Sequence, residues 1–186
     1  MDLSAQQFYG AKRLRSPGDG FTLVELMVTL SVAAVLMAIG VPMFRETIAR
    51  NRLTDQANDL VAAITIARSQ AITANQQVSF CRTDSDADTT CSGAAGSWEF
   101  WLINNAAGTV LRRGVIPTYG GAIEVTSGLT NDTVTFGSDG LARTNAVLVA
   151  GEQIVVCSNH AVIDNQRAIT LGAGSRVSNN RVSGAC

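Results

Sequence analysis

The polar and apolar positions divide the chain into three stretches of different rhythm. Residues 21–44 are apolar almost without interruption, and Glu25 is the one ionisable side chain among them. At a helical rise of about 1.5 Å per residue this run reaches about 36 Å, enough to cross a hydrocarbon core of about 30 Å. Residues 45–75 then change to a helical period. Leu53, Ala57, Leu60, Val61, Ile64, Ala67 and Ala71 recur at steps of three and four, with Arg45, Glu46, Arg50, Arg52, Asp55, Asp59 and Arg68 supplying polar surface. Pro42 lacks a backbone donor, so it is expected to bend this long helix without ending it. Residues 76–186 carry β-type runs at 77–82, 98–104, 109–116, 123–126, 133–136, 153–158, 167–171 and 176–178. Gly120-Gly121, Gly137-Ser138-Asp139-Gly140 and Gly172-Ala173-Gly174 punctuate them. The expected fold class is α+β, with a long N-terminal helix laid across an antiparallel sheet.

Charge refines this picture. The 186 residues hold 14 basic and 15 acidic side chains, a balance that excludes a globally basic nucleic-acid binder and a highly charged disordered chain. Lys12, Arg13 and Arg15 stand just ahead of the apolar run, marking its cytoplasmic side under the positive-inside rule. The run exceeds the 7–15 residues of a secretory signal core, and no small-residue cleavage site follows it. A carboxylate inside such a run costs roughly 2.5–3.5 kcal/mol at a helix centre, less near the interface, so Glu25 is a functional candidate.

The motif Gly20-Phe21-Thr22-Leu23-Val24-Glu25-Leu26 behind a basic leader resembles the cleavage motif of type IV prepilins and type II secretion pseudopilins. The resemblance implies that residues 1–20 are a leader removed by a prepilin peptidase that cuts between Gly20 and Phe21, and that Phe21 is then methylated. It also implies a transmembrane and assembly helix over 21–44, its amphipathic continuation over 45–75 and a periplasmic β-rich domain over 76–186. Pro42 resembles the family's helix-kinking proline. Cys81 and Cys91 ahead of Trp98, and the Gly-Ser-Asp-Gly turn within 133–143, resemble the FimT/FimU and GspH-like minor pilin branch. The implied partners are the peptidase/methyltransferase, other major and minor pilins and the inner membrane. The implied role is structural, in assembling or priming a pilus, with a type II secretion pseudopilin as the sister reading.

Four cysteines, at 81, 91, 157 and 186, lie beyond the apolar run, where an oxidising periplasm favours disulfides. Of three possible pairings, Cys81–Cys91 and Cys157–Cys186 are favoured, because each joins neighbouring elements and the second ties down the C-terminus. Metal is not expected: no Cys-x-x-Cys pair occurs and His160 is the sole histidine. Asp84, Asp86 and Asp88 alternate as in a calcium loop but lack its glycine and distal glutamate. Ser158, His160 and Asp164 are close in sequence, which is weak support for a triad, so neither catalysis nor a cofactor is expected. DNA is the remaining candidate partner. FimT-type pilins that capture DNA carry a Gly-Arg-x-Arg motif; here Gly174-Ser175-Arg176-Val177-Ser178 has an inserted serine and no second arginine at that spacing. Arg167, Arg176 and Arg181, in an acid-free and mobile C-terminal tail, are the candidate phosphate contacts.

Overall fold

Helix α1 spans Leu23–Thr73 in a computed structural model that describes residues 20–161 and 163–186. The basic leader, expected over 1–20, lies outside the described residues apart from Gly20. Pro42 sits inside α1, which continues through it. The helix stops by local chemistry rather than at a glycine. Asn75 adopts a left-handed conformation with φ of 49°, and the Asn75 and Gln76 amides donate to the carbonyls of Ile72 (3.3 Å) and Ala71 (3.2 Å). These two bonds form a Schellman closure that satisfies carbonyls the last turn would otherwise leave open.

Through Gly40 the described helix is exposed at every residue except half-buried Ala33. Its apolar side chains therefore have no protein surface covering them. Val41–Cys186 forms a second unit with its own core. In this unit Leu53, Ala57, Leu60, Ile64, Ala67 and Ala71 of the expected stripe are buried together with Ala63, while Val61, also expected, is half-buried. Four of those seven buried residues are alanines, which lets strands approach the helix backbone closely.

Ten strands follow among the described residues: β1 (Val78–Thr83), β2 (Phe100–Asn105), β3 (Val110–Val115), β4 (Ile123–Ser127), β5 (Thr133–Phe136), β6 (Ala142–Thr144), β7 (Val147–Leu148), β8 (Glu152–Ser158), β9 (Gln166–Gly172) and β10 (Arg176–Val182). They form two sheets, not one. A six-stranded sheet runs β3-β2-β1-β5-β6-β7 and a four-stranded sheet runs β10-β9-β8-β4, with every paired neighbour antiparallel. The expected α+β arrangement of a long helix on antiparallel strands is present, and its strands divide between two sheets because β4 pairs with β8 while β5 lies beside β1. Both sheets share one core with α1. Phe80 and Phe136 come from the first sheet, Ile154, Val156, Ile169 and Leu171 from the second, each with no exposed surface. Burying side chains of this size contributes about 1.5–3 kcal/mol apiece.

Residues 176–186, expected as a mobile tail, are instead fixed. β10 pairs with β9 along its whole length, from Arg176 opposite Gly172 to Val182 opposite Gln166. Beyond it, Asn165 donates to the Gly184 carbonyl (2.8 Å) and accepts from the Gly184 amide (3.0 Å), while Gln166 donates to the Ala185 carbonyl (2.8 Å). Cys186 is bonded to Cys157, and Cys81 to Cys91, each pair with Cα atoms 5.6 Å apart.

Candidate processing and assembly site

The start of α1 is built by Thr22. Its carbonyl accepts from the Leu26 amide at 3.1 Å, and its hydroxyl accepts from the Glu25 amide at 3.2 Å. Thr22 is thus the N-cap and Glu25 the third helical residue, the Thr-x-x-Glu spacing of a capping box. Glu25 also places negative charge in the first turn, where the helix dipole favours it. Its carboxylate is exposed, and no cation among the described residues lies within ion-pair distance. Phe21 is 85% exposed. Among the described residues nothing lies within 4 Å of where a Gly20 side chain would begin, and its backbone is outside the left-handed region. The fold therefore gives no steric reason for a glycine at position 20.

The other sequence candidates separate on inspection. Ser158 is buried, but its hydroxyl accepts from the main-chain amide of His160 at 3.3 Å, and the Asp164 amide donates to Ser183. The first bond closes a turn and the second ties Asp164 to the C-terminal segment, and neither brings an imidazole to the hydroxyl. Asp84 accepts from Ser92 (2.9 Å) and Arg82 (2.7 Å), and these two bonds, in that order of strength, hold its carboxyl below the ordinary range. Asp88 accepts from the amides of Asp84 and Ser85. Two carboxylates of the calcium-like spacing thus brace their own loop, and no cluster of three metal-ligating side chains occurs among the described residues.

The three arginine candidates do not form one exposed surface: Arg181 lies directly opposite Arg167 in the pairing of β10 with β9, on the same sheet face, and Arg176 is on the other. Arg167 is buried: it donates to the carbonyls of Asp164 and Gln166, each at 2.9 Å, and to Thr54 Oγ1 of α1 at 3.3 Å. Burial first, and then the charge of Arg181, push its pKa below the usual guanidinium value. Arg176 and Arg181 are exposed but five positions apart on one strand, so they point to opposite faces of the sheet. Arg167 is withdrawn from phosphate because its alternate position along β9 faces the helix. The expected three-arginine contact is not assembled.

Sequence reasoning missed one ionic centre. Buried Asp132 accepts from the Gly96 amide at 2.8 Å and lies 3.3 Å from Arg82 Nε. Arg82 also donates to Asp84, to Ser92 Oγ at 2.6 Å and to the Ala94 carbonyl at 3.0 Å, so it organises the whole Cys81–Cys91 loop. An arginine beside a cysteine was its only trace in the sequence.

A family profile described as Type II transport protein GspH matches residues 56–175, and one for the prokaryotic N-terminal methylation motif matches residues 19–41. The chain belongs to the GspH family. The methylation profile covers the Thr22–Glu25 cap and most of the exposed apolar run, while the GspH profile covers the stripe of α1 from Ala57 onward and nine strands. A curated relative of this GspH-family chain, a fimbrial protein of Pseudomonas aeruginosa, is 28% identical over 98 residues, covering 49% of this chain and 63% of its own length. The chain thus spans less than two thirds of that relative. Prepilin peptidase-dependent protein D of Escherichia coli K12 is 43% identical over 42 residues, covering 23% of this chain and 29% of that protein. Among solved structures, the type IV minor pilin FimU of Pseudomonas aeruginosa PAO1 superposes with a TM-score of 0.52 at 18% identity, over 70% of this chain and 90% of that one. At that identity the likeness concerns the fold, and the fold is that of a pilin.

Proposed function

We propose that this GspH-family protein is a minor type IV pilin, a structural subunit that joins and helps prime a pilus. In this reading a prepilin peptidase cuts between Gly20 and Phe21 and Phe21 is methylated. Residues 21–44 hold the subunit in the inner membrane, with the β-rich domain in the periplasm, until it enters the filament. The observation that carries the reading is the junction at position 20. A glycine against which no described residue packs precedes a capped helix whose first 18 residues are mostly apolar yet, apart from half-buried Ala33, exposed. A glycine that its own chain does not require is explained by an enzyme that reads it. An exposed carboxylate at the third position of an otherwise apolar helix needs a cation once buried, and a neighbouring subunit's N-terminal amine is the fitting partner.

A type II secretion pseudopilin is the second reading, favoured by the description of the matching family. DNA capture draws no support from the geometry, since Arg167 is buried and Arg176 and Arg181 diverge. Fractionation tests the leading reading. Wild-type subunit should be recovered from sheared pili, Gly20→Leu should remain unprocessed, and processed Glu25→Val should accumulate in the membrane and be depleted from pili. Wild-type protein absent from sheared pili but present in a secretion pseudopilus would transfer the assignment to the second reading. Normal recovery of Glu25→Val would remove the assembly role of Glu25.

A further inference from the structure

A groove of about 770 Å³ opens beside α1 where the apolar run ends, with Pro42, Arg45 and Arg52 facing Tyr119, Ile123 and His160. Its chemistry is cationic with an apolar floor. Glu46 is the one acidic residue along it, and its carboxylate is already engaged by Arg50 at 2.6 Å. Arg45 and Arg52 are exposed, and among the described residues neither has a hydrogen bond or an ion pair. Arg52 is nonetheless positioned, because its guanidinium lies 4.1 Å from the centre of the Tyr119 ring. Tyr119 holds that place at a cost, since its φ of 49° is a left-handed conformation that bulky side chains avoid. Gly120 and Gly121 follow it in the same region, at 72° and 85°. A strained backbone thus sets an aromatic ring beneath an arginine that has no ion pair among the described residues.

We propose that this groove binds the headgroup of an anionic phospholipid of the outer leaflet of the membrane that 21–44 crosses. The proposal rests on the reading of that run as a membrane span. Arg45 follows Phe44, the last residue of the run, and Arg52 stands about 12 Å further along the helix, so both fall within reach of the headgroup layer. Three arginines in the eight residues after a span run against the usual bias, which keeps basic residues on the cytoplasmic side. Guanidinium forks suit phosphate oxygens, an aromatic ring suits the interface, and Val41 and Met43, exposed beside the groove, suit acyl chains. A second copy docking through this same face is a poorer occupant, because the groove has no free carboxylate to answer its own arginines.

The test uses the full chain in detergent with equimolar phosphatidylglycerol and phosphatidylcholine, native mass spectrometry counting the lipid retained. Wild type should keep phosphatidylglycerol preferentially, with a preference falling roughly fivefold for each arginine lost in Arg45→Gln and Arg52→Gln. Tyr119→Ala should weaken it and Tyr119→Phe should not. Arg112→Gln with Arg176→Gln removes the same charge from exposed positions elsewhere and should leave the preference intact. Millimolar inorganic phosphate should fail to displace the lipid; full displacement would make the site one for free phosphate and overturn the proposal. Equal retention of both lipids, or a preference unchanged when Arg45→Gln and Arg52→Gln are combined, would also overturn it. Resistance of the chain to carbonate extraction from membranes is read separately. Its loss would sink the membrane-anchored reading, whereas its persistence without lipid preference would sink this proposal alone.

Discussion

Replacing Asp132 by alanine should be among the most damaging single changes in the β-rich unit, and the geometry sets its size. The carboxylate is 1% exposed and has two duties: accepting from the Gly96 amide and facing Arg82. Alanine strands the Gly96 donor, at about 1–3 kcal/mol. It also places a side chain without local hydrogen-bonding capacity at φ of 48°, where an ordinary residue costs about 1–2 kcal/mol. Arg82 loses a buried partner but keeps Asp84 and Ser92, so the full cost of about 3–5 kcal/mol for a broken buried pair is not added on top. The expected total is about 4 kcal/mol. Asparagine keeps an oxygen for Gly96 and tolerates the left-handed conformation, so Asp132→Asn should cost only about 1–2 kcal/mol. At about 2–4 °C per kcal/mol, alanine lowers Tm by roughly 8–16 °C and asparagine by roughly 2–8 °C. Thermal melts of the full chain in detergent, followed by near-ultraviolet circular dichroism of Trp98 and Trp101, measure both. Equal losses for the two variants would mean that charge alone matters, and a loss under about 1 kcal/mol for alanine would refute the assignment of Asp132 as the anchor of the 81–96 loop.

Three further expectations follow from separate contacts. Gly140→Ala should lose about 1–2 kcal/mol by thermal melting, because φ is 71° and the new methyl would lie 2.8 Å from Ile72 Cδ1. Cys157→Ser with Cys186→Ser opens a link across a sequence separation of 29 and should cost about 3.5 kcal/mol by loop entropy, with the largest rise in hydrogen exchange at β10. The hydrogen bonds from Arg143, then that from the Leu141 amide, depress the Asp139 carboxyl from 3.8 to about 2. A depressed folded pKa gives stability that is complete above the unfolded value and is lost on acidification, so the Tm difference between wild type and Asp139→Asn should be constant above pH 5 and shrink between about pH 4 and pH 2.

What the sequence made legible was whatever one element states by itself. The stripe from Leu53 to Ala71 specifies a buried helix face whichever sheet covers it, and β5 at 133–136 reads correctly because turn residues bracket a short β-branched run. Pairing is a property of two elements, and there the sequence is silent. Val125 and Val134 look alike in a list of strand residues, yet one lies opposite Val156 in the second sheet and the other opposite Phe80 in the first. β6 and β7 escaped for a different reason. They have three and two residues, joined by Asn145 and Ala146 at φ of 51° and 68°, and an alanine gives no warning of a left-handed turn. The arginines follow the same logic. Arg167, Arg176 and Arg181 are equivalent in composition, and only the pairing of β9 with β10 reveals that Arg167 is packed on Thr54 and that the other two point apart. Gly20 is the converse case. Among the described residues nothing packs against it, so the proposed cleavage rests on the motif and not on the fold. A residue kept for packing, by contrast, is legible only in three dimensions.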